Sequence, residues 1–222
     1  MKTYNEIKLA QELIRFPTIK TEDKGIMKFL SKKLTAIGFK CTIIKSKGTG
    51  TNPALNLYAR YGKSKPHIMY LGHTDVVANL DNWKFPPFKA IISKGYLNGR
   101  GAQDMKGGVA CWISAVSNFI KNNKFKGSIS IIISADEETT GYGCPAVMKY
   151  LRKKGEKIDF SIVGEPSSNK SVGDEIRIGR RGSMNGVITV YGKSGHSAFY
   201  GSYINPCTAL AEIVAKLKKS PL

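Results

Sequence analysis

The chain has 222 residues, 41% of them hydrophobic, which is enough to bury an ordinary core in one or two domains. It contains no apolar run as long as a membrane span, and its amphipathic N-terminus lacks the apolar region of a signal peptide, so we expect a cytoplasmic protein with no membrane partner. The formal net charge of +19 comes mostly from scattered lysines without aromatic interleaving or a DNA-binding motif, which argues against nucleic acid and favours a small substrate rich in carboxylates.

Helices and strands alternate through most of the chain. The spacing of apolar residues predicts, in chain order, helices over 4–15 and 23–37, strands over 41–45, 55–61 and 68–71, a helix over 105–120, a strand over 129–134, a helix over 145–154 and a strand over 158–163. This alternation predicts an α/β fold in which a mostly parallel sheet is flanked by helices.

Several of these elements begin or end in side chains that can bind a metal ion. The residues are His73 and Asp75 after strand 68–71, Asp104 before helix 105–120, Glu137 and Glu138 after strand 129–134, and Glu165 after strand 158–163. Open α/β sheets build their sites outside the carboxyl ends of the strands. Imidazole and carboxylate groups suit zinc or a similar divalent ion, so the pattern predicts a metal site at that edge.

Each segment alone has a simpler explanation. A His-x-Asp pair is also typical of a hydrogen-bonded histidine in a turn, and an aspartate before a helix, such as Asp104, is commonly an N-cap. The consecutive acids after strand 129–134 would repel one another unless a cation lies among them, which makes a solvated loop the weaker explanation. Because Asp75 lies two residues after His73, both side chains face one side, and the carboxylate can accept the second imidazole N–H.

The character of the sequence changes near Gly179. Residues 176–191 alternate as antiparallel strands do, and a closing helix follows. Its apolar face is formed by Leu210, Ile213, Val214 and Leu217. We therefore predict two domains, 1–178 and 179–222. The four cysteines are far apart and include no CxxC pair, so neither disulfides nor a thiolate metal site is predicted.

Four motifs together carry a family resemblance: LGHTDVV, GRGAQDMKGG, SADEE and VGEP. They resemble the metal-site motifs of the co-catalytic zinc peptidase family, which contains aminoacylases, carboxypeptidases and desuccinylases. The later segments IGRRGSMNG, GKSGH and INP are most similar to the desuccinylase branch. The resemblance covers essentially the whole chain. It implies a homodimeric amide hydrolase with two zinc or cobalt ions per active site, which cleaves succinylated diaminopimelate in diaminopimelate and lysine biosynthesis.

Carried over residue by residue, the resemblance implies the metal ligands. His73 and Glu165 would bind one ion, Glu138 would bind the second, and Asp104 would bridge the two. Asp75 would orient the His73 ring. The resemblance also implies a cis peptide bond directly after Asp104.

The same resemblance implies catalytic and substrate-binding roles. Glu137 would be the general base and acid, which takes a proton from the attacking water and passes it to the leaving amine. His196, in a lid domain, would reach the active site of a partner subunit and stabilise the oxyanion. Arg180, Arg181 and Ser183 match positions near the substrate carboxylates, which guanidinium groups can pair bidentately.

Two departures from the family pattern leave alternatives open. After His196 the chain reads SAFYG, and its GHS triplet also occurs in related deacetylases, so a deacetylase or a peptidase is one alternative. The family also has a histidine ligand near the end of a longer chain, and the only other histidine here is His67, inside a predicted strand. The resemblance therefore implies a truncated chain with a partial lid, which binds one ion well and the second poorly. An inactive fragment is the second alternative.

Overall fold

The computed structural model describes residues 2–49, 51–78, 82–179, 182 and 186–219. The chain divides into two units, Met1–Ile176 and Arg177–Leu222. This division lies next to the predicted boundary between residues 178 and 179. The assignment of the two units to a catalytic domain and a lid stays a prediction.

Two amphipathic helices open the first unit. Helix α1 (Glu6–Ile14) follows Asn5, whose side-chain oxygen accepts a hydrogen bond of 3.0 Å from the backbone N–H of Lys8. Helix α2 (Ile26–Thr35) follows Asp23, whose carboxylate accepts hydrogen bonds from the backbone N–H groups of Gly25 and Met27. Each helix buries one apolar face, formed by Leu9, Ala10, Leu13 and Ile14 in α1 and by Ile26, Met27, Leu30 and Leu34 in α2.

The later elements follow the predicted order. They are β1 (Lys40–Ser46), β2 (Ala54–Gly62), β3 (His67–His73), β4 (Ile91–Ser93), β5 (Tyr96–Asn98), α3 (Lys106–Asn122), β6 (Ser128–Ser134), α4 (Gly143–Lys153), β7 (Phe160–Val163) and α5 (Pro206–Lys219). Every predicted element between residues 4 and 163 is present within three residues of its expected bounds, and the short β4–β5 hairpin is an addition.

The main sheet has five strands in the order β1-β2-β6-β3-β7. β3 pairs in parallel with β6 and with β7, whereas β2 pairs antiparallel with both β1 and β6. The α/β class with flanking helices is therefore confirmed, and the sheet itself is mixed. The short, turn-rich connection from β1 to β2 explains why these two strands pair antiparallel, because parallel neighbours need a long crossover.

The parallel half aligns the carboxyl ends of three strands. His73 at the end of β3 is paired with Ser134 at the end of β6, and Leu71 is paired with Val163 at the end of β7. The acidic segments that follow β6 and β7 therefore start beside His73.

Helices cover both faces of the sheet. Ile131 and Ile133 belong to the larger core cluster, which also contains the buried faces of α1, α2 and α3. Ile132 points to the opposite face and packs with Val147 and Leu151 of α4. Every residue of β6 is buried as a result. This central strand holds the acidic segment 136–138 in a fixed position at its end.

The second unit differs from its prediction. Antiparallel strands are expected over residues 176–191, but the described residues of that stretch form no strand. The one bridge described in this unit joins Lys193 and Ile204. An alternating pattern forms a strand only when a second strand accepts its hydrogen bonds, and the described part of this unit supplies none.

The closing helix α5 is present and has no buried residue. Leu210 is 40% exposed, Val214 is 55% exposed and Leu217 is 57% exposed, so its predicted apolar face is open. Among the described residues, no helix is both long enough and apolar enough to cross a bilayer.

Candidate metal centre

His73 is the centre of the candidate site. Its side chain is 1% exposed, and it lies at the end of β3, where the strand leaves the sheet. Its Nε2 atom is 2.9 Å from Oδ1 of Asp104, 3.7 Å from Oε1 of Glu165 and 3.9 Å from Oε2 of Glu137. Three carboxylates from three separate segments therefore surround one ring nitrogen.

The other ring nitrogen of His73 faces Asp75. Nδ1 lies 3.0 Å from the backbone oxygen of Asp75 and 3.5 Å from its carboxylate Oδ1. Both Asp75 atoms are acceptors, so they favour a proton on Nδ1 and leave the Nε2 lone pair for a metal ion. The other carboxylate oxygen of Asp75 accepts a hydrogen bond of 2.9 Å from the backbone N–H of Glu138. Asp75 therefore links the imidazole to the acidic segment after β6.

The electrostatics of this cluster favour a cation. Burial lowers the pKa of His73, but the hydrogen bond and charge of Asp75 and the charges of Glu165 and Glu137 outweigh burial and raise that pKa to about 9. Burial, together with the charges of Asp104 and other nearby acids, raises the pKa of Glu138. Asp75 Oδ1 is buried, and its contact with Nδ1 of His73 is long, at 3.5 Å. Carboxylates crowded together without a compensating cation produce these raised pKa values and this buried oxygen.

Asp104 does not cap a helix. Helix α3 starts at Lys106, its N-cap residue is Met105, and the cap makes no side-chain hydrogen bond. The Asp104 carboxylate, which is 50% exposed, points instead toward His73. The Asp104–Met105 peptide bond is cis, as the family resemblance implies. The N-cap explanation is therefore wrong for this residue.

A buried aspartate holds the acidic segment. Asp136 is 0% exposed, and its carboxylate accepts hydrogen bonds from the hydroxyls of Ser134 and Thr140 and from the backbone N–H groups of Tyr142 and Gly143. These bonds close the loop between β6 and α4. The loop carries the two glutamates that follow Asp136.

Asn56 supports the same segment from β2. Its side-chain oxygen accepts a hydrogen bond from the backbone N–H of Ala135, and its amide donates to the backbone oxygen of Ile44 and to the hydroxyl of Ser46. Neither Asn56 nor Asp136 is among the predicted site residues. Asp136 could have been found from the sequence, because it directly precedes the two glutamates. Asn56 could not, because nothing near it in the sequence indicates a role in the site.

Glu165 is positioned by a close approach of the backbone. Gly164 lies against the hydroxyl of Tyr70, and a Cβ at this position would collide with the ring. Gly108 in α3 packs on the other side, with the position of its absent Cβ 3.1 Å from the backbone oxygen of Gly164. A side chain at Gly164 would therefore force the 164–165 segment or the Tyr70 ring to move, and one at Gly108 would crowd the same segment.

Lys106 is a fully buried lysine that follows the site residue Asp104 by two positions. It is 0% exposed, and its ammonium donates a hydrogen bond of 2.7 Å to the backbone oxygen of Phe16. Burial lowers the pKa of Lys106 to about 7, partly opposed by the charge of Asp75. Lys106 is also absent from the predicted site residues, because a lysine in the first turn of a helix is ordinarily solvated.

An open cleft adjoins the carboxylates. It has a volume of about 310 Å³ and is lined by Asp104, Glu138, Gln103, Trp83 and Arg100 among others. The Arg100 guanidinium lies 4.8 Å above the Trp83 ring. The cleft gives a small substrate access to the exposed sides of the acids.

The structure brings six of the predicted site residues together. They are His73, Asp75, Asp104, Glu137, Glu138 and Glu165. Ligand atoms of His73, Asp104 and Glu138 lie within 4.8 Å of one another, as do those of His73, Glu137 and Glu165. One imidazole among several carboxylates is a donor set that fits zinc or cobalt.

The remaining predicted residues come later in the chain. His196 is an exposed residue of the second unit, and its Nδ1 accepts a hydrogen bond of 3.1 Å from the backbone N–H of Ala198. Arg180, Arg181 and Ser183 lie outside the described residues. Their substrate-binding roles stay predictions.

Comparison with known proteins shows the family. The model of peptidase family M20/M25/M40 matches residues 69–220. A succinyl-diaminopimelate desuccinylase of Pelagibacter ubique is 49% identical over 99% of this chain, and one of Ehrlichia canis is 44% identical over 97% of it. The chain spans 58% and 57% of the lengths of these two relatives.

A solved structure supports the fold. A tripeptidase from Staphylococcus aureus superposes with a TM-score of 0.66 at 18% sequence identity, over 96% of this chain and 57% of the tripeptidase. At this identity the likeness concerns the fold alone. The family match over residues 69–220, which is more than half of the chain, shows that the chain belongs to peptidase family M20/M25/M40.

Proposed function

We propose that the chain carries the metal-binding half of an amide hydrolase of the desuccinylase type. The reaction converts N-succinyl-LL-2,6-diaminopimelate and water to LL-2,6-diaminopimelate and succinate. The observation that carries the proposal is the cluster of three carboxylates around Nε2 of His73. The identity of the substrate is taken from the names of the two relatives, both succinyl-diaminopimelate desuccinylases.

His73, Asp104, Glu138 and Glu165 would hold the metal ions, which we take to be zinc or cobalt. His73 and Glu165 would serve one ion, Glu138 the second, and Asp104 both. A bound divalent ion supplies a Lewis acid that acidifies water and polarises an amide carbonyl. Asp75 favours the His73 tautomer that leaves the Nε2 lone pair free for a metal ion. Its carboxylate also accepts a hydrogen bond from the backbone N–H of Glu138, which holds His73 and Glu138 in fixed positions relative to each other.

Glu137 would carry the proton. Its side chain is 54% exposed, so it reaches the cleft while its carboxylate stays 3.9 Å from Nε2 of His73. A carboxylate at this position can take a proton from water and deliver it to the nitrogen of the leaving amine. The buried hydrogen bonds of Asp136 hold the segment that carries Glu137.

The substrate groups would be recognised by residues later in the chain. Arg180, Arg181 and Ser183 would pair the carboxylates of the substrate. His196 would stabilise the oxyanion in the active site of a partner subunit, which requires a homodimer. A protein with this activity would work in the cytoplasm, in diaminopimelate and lysine biosynthesis.

Two alternatives are tied to specific features. The GHS triplet at residues 195–197 is shared with related deacetylases, which favours an acetylated amino acid as the rival substrate. The described cluster contains one imidazole, and two carboxylates alone suit a second zinc poorly, which favours a chain without activity of its own.

Hydrolysis of paired substrates tests the proposal. The chain should be joined to the C-terminal part of a desuccinylase relative and assayed with succinylated diaminopimelate and with acetylornithine. We expect faster hydrolysis of the succinylated substrate, and we expect Glu137→Gln to slow it by about 10²- to 10⁴-fold. Faster cleavage of acetylornithine would assign the chain to the deacetylase branch. No cleavage of either substrate, with metal bound, would favour the inactive alternative.

A further inference from the structure

A short segment between α1 and α2 runs beside the chain that carries His73 and Asp75. This segment, residues 16–20, follows the end of α1, and its Ile19 forms an isolated parallel bridge with Val76. The backbone N–H of Val76 donates a hydrogen bond of 2.9 Å to the oxygen of Thr18, and the N–H of Lys20 donates one of 3.1 Å to the oxygen of Val76. Segment 16–20 therefore pairs with the chain just after it leaves β3.

Thr18 holds both of the peptide groups that flank Asp75. Its hydroxyl donates a hydrogen bond of 2.5 Å to the backbone oxygen of Thr74, which belongs to the peptide group before Asp75. Its backbone oxygen accepts the N–H of Val76, which belongs to the peptide group after Asp75. Thr18 is 2% exposed and Thr74 is 1% exposed, so water does not compete for these bonds. The two bonds together fix the backbone of Asp75.

The peptide group between Asp75 and Val76 connects Thr18 to the His73 ring. Its carbonyl oxygen lies 3.0 Å from Nδ1 of His73, and its N–H donates to Thr18. Hydrogen bonds at the two ends of one peptide group polarise each other, so the bond to Thr18 makes the carbonyl a stronger acceptor for the imidazole proton. A stronger acceptor favours the tautomer with the proton on Nδ1 and makes Nε2 a better metal ligand.

Segment 16–20 is also held from the first turn of α3. The ammonium of Lys106 donates a hydrogen bond of 2.7 Å to the backbone oxygen of Phe16, which also accepts the N–H of Thr18 at 2.9 Å. Gly101 allows this close packing, because a Cβ at its position would lie 3.0 Å from Val76 and 3.1 Å from Lys106. Contacts within the protein therefore set the position of Thr18 before any metal binds.

We propose that Thr18 is a positioning residue of the metal centre. Its hydroxyl and its backbone oxygen hold the peptide groups on either side of Asp75, and these in turn hold the His73 ring with Nε2 directed at the ion. Thr18 acts through the backbone of residues 74–76 and is neither a ligand nor a catalytic residue. This inference rests on the metal-binding function proposed above.

Zinc affinity of matched variants, measured by competition with a chelator at constant pH, tests the inference. Thr18→Val removes the hydroxyl and keeps the shape of the side chain, and it should weaken zinc binding about tenfold, the lower end of the effect of a direct partner of a metal ligand. Thr18→Ser restores the hydroxyl and should bind zinc within about twofold of the wild type.

Thr21→Val is the matched control. Thr21 is also buried, but its hydroxyl lies 2.7 Å from that of Thr49 and accepts a hydrogen bond from the backbone N–H of the same residue. The control therefore loses a buried hydroxyl that makes no contact with residues 74–76. It should leave the zinc affinity unchanged within about twofold.

Amide hydrogen exchange of the metal-free protein gives a second measurement that needs neither zinc nor activity. The N–H of Val76 should be protected in the wild type, and it should exchange at least about fivefold faster in Thr18→Val. Thr21→Val should not change this rate.

Three results would overturn the positioning role. They are an unprotected Val76 amide in the wild type, wild-type zinc affinity in Thr18→Val, and equal weakening of zinc binding by Thr18→Val and Thr21→Val. A wild-type protein with a protected Val76 amide and no tightly bound zinc would reject the metal centre itself, and this inference with it. The two failures are therefore distinguishable.

Discussion

Nε2 of His73 lies 2.9 Å from Oδ1 of Asp104, although 31 residues separate the two in the chain. The first residue ends β3, and the second precedes α3, so the contact joins two independent elements at one edge of the sheet. A buried imidazole this close to a half-exposed carboxylate either carries a proton or shares a metal ion. Metal binding must therefore compete with protonation.

Metal affinity is expected to depend on pH. Because the metal-free pKa of His73 is raised to about 9, the ring is protonated at neutral pH and must lose that proton when a metal binds. Zinc affinity should rise about tenfold per pH unit below pH 9, and each binding event should release a proton. Isothermal titration in buffers of different ionisation enthalpy measures both quantities.

Asp75→Asn is the matched variant for this effect. It removes the charge that contributes most to raising the His73 pKa, so the steep part of the pH dependence should move to lower pH. An affinity that does not change between pH 6 and pH 8 in the wild type, or the same pH dependence in the variant as in the wild type, would contradict this account of the site.

Asp136→Asn should destabilise the fold. The carboxylate accepts four hydrogen bonds in a fully buried position, and an amide would present its N–H groups to donors. We expect a loss of about 3 kcal/mol in the free energy of unfolding, measured by urea denaturation. The control is Glu22→Gln, whose side chain is 59% exposed and pairs with Lys24 on the surface. It should change stability by less than about 0.5 kcal/mol. Equal effects of the two substitutions would show that Asp136 does not hold the loop.

Much of the fold follows from the sequence, because local patterns define its elements. Strand 129–134 is recognisable from its unbroken apolar run, and the acids that follow it mark the site. The order of the strands cannot be predicted in the same way, because the pattern of apolar residues within a strand does not show which other strand it pairs with. The antiparallel pairing of β2 with β6 therefore had no signal in the sequence.

The supporting residues of the site are equally hidden in the sequence. Asn56 and Lys106 act through hydrogen bonds to residues that are remote along the chain, Ala135 and Phe16. A polar residue inside a strand or a helix gives no indication of such a partner. Packing alone decides that these two side chains are buried.

Lys106 should make stability depend on pH in the alkaline range. Its pKa falls from 10.5 to about 7 because burial disfavours the charged form. The unfolded chain then binds more protons than the folded chain between pH 7 and about pH 10.5, so this residue makes stability rise with pH through that window. Denaturation of the wild type and of Lys106→Met at several pH values measures the difference. The stability of the wild type relative to the variant should increase from pH 7 to pH 10, and a constant difference would show that the ammonium is not desolvated.

Glu137→Gln should separate catalysis from metal binding. In the rebuilt hydrolase, loss of the proton carrier should lower kcat by about 10²- to 10⁴-fold. The metal content should stay unchanged, because the proposed ligands are intact. Glu12→Gln, which affects a partly buried pair with Lys33 in the helical region, is the control for a change of one charge and should retain full activity. Loss of metal together with activity in Glu137→Gln would instead make Glu137 a ligand.

The central claim is that His73 and the surrounding carboxylates form a metal site in this chain. Equilibrium dialysis against zinc at pH 7.5, followed by metal analysis, tests it most directly. We expect one tightly held ion per chain, bound through His73, Asp104 and Glu165, and a second held weakly or not at all. His73→Ala should remove the tight ion, whereas His67→Ala should not, because His67 bonds to Lys157 and Ser130 at the opposite end of the sheet. Two tightly held ions per chain, or a tight ion that survives His73→Ala, would contradict the account.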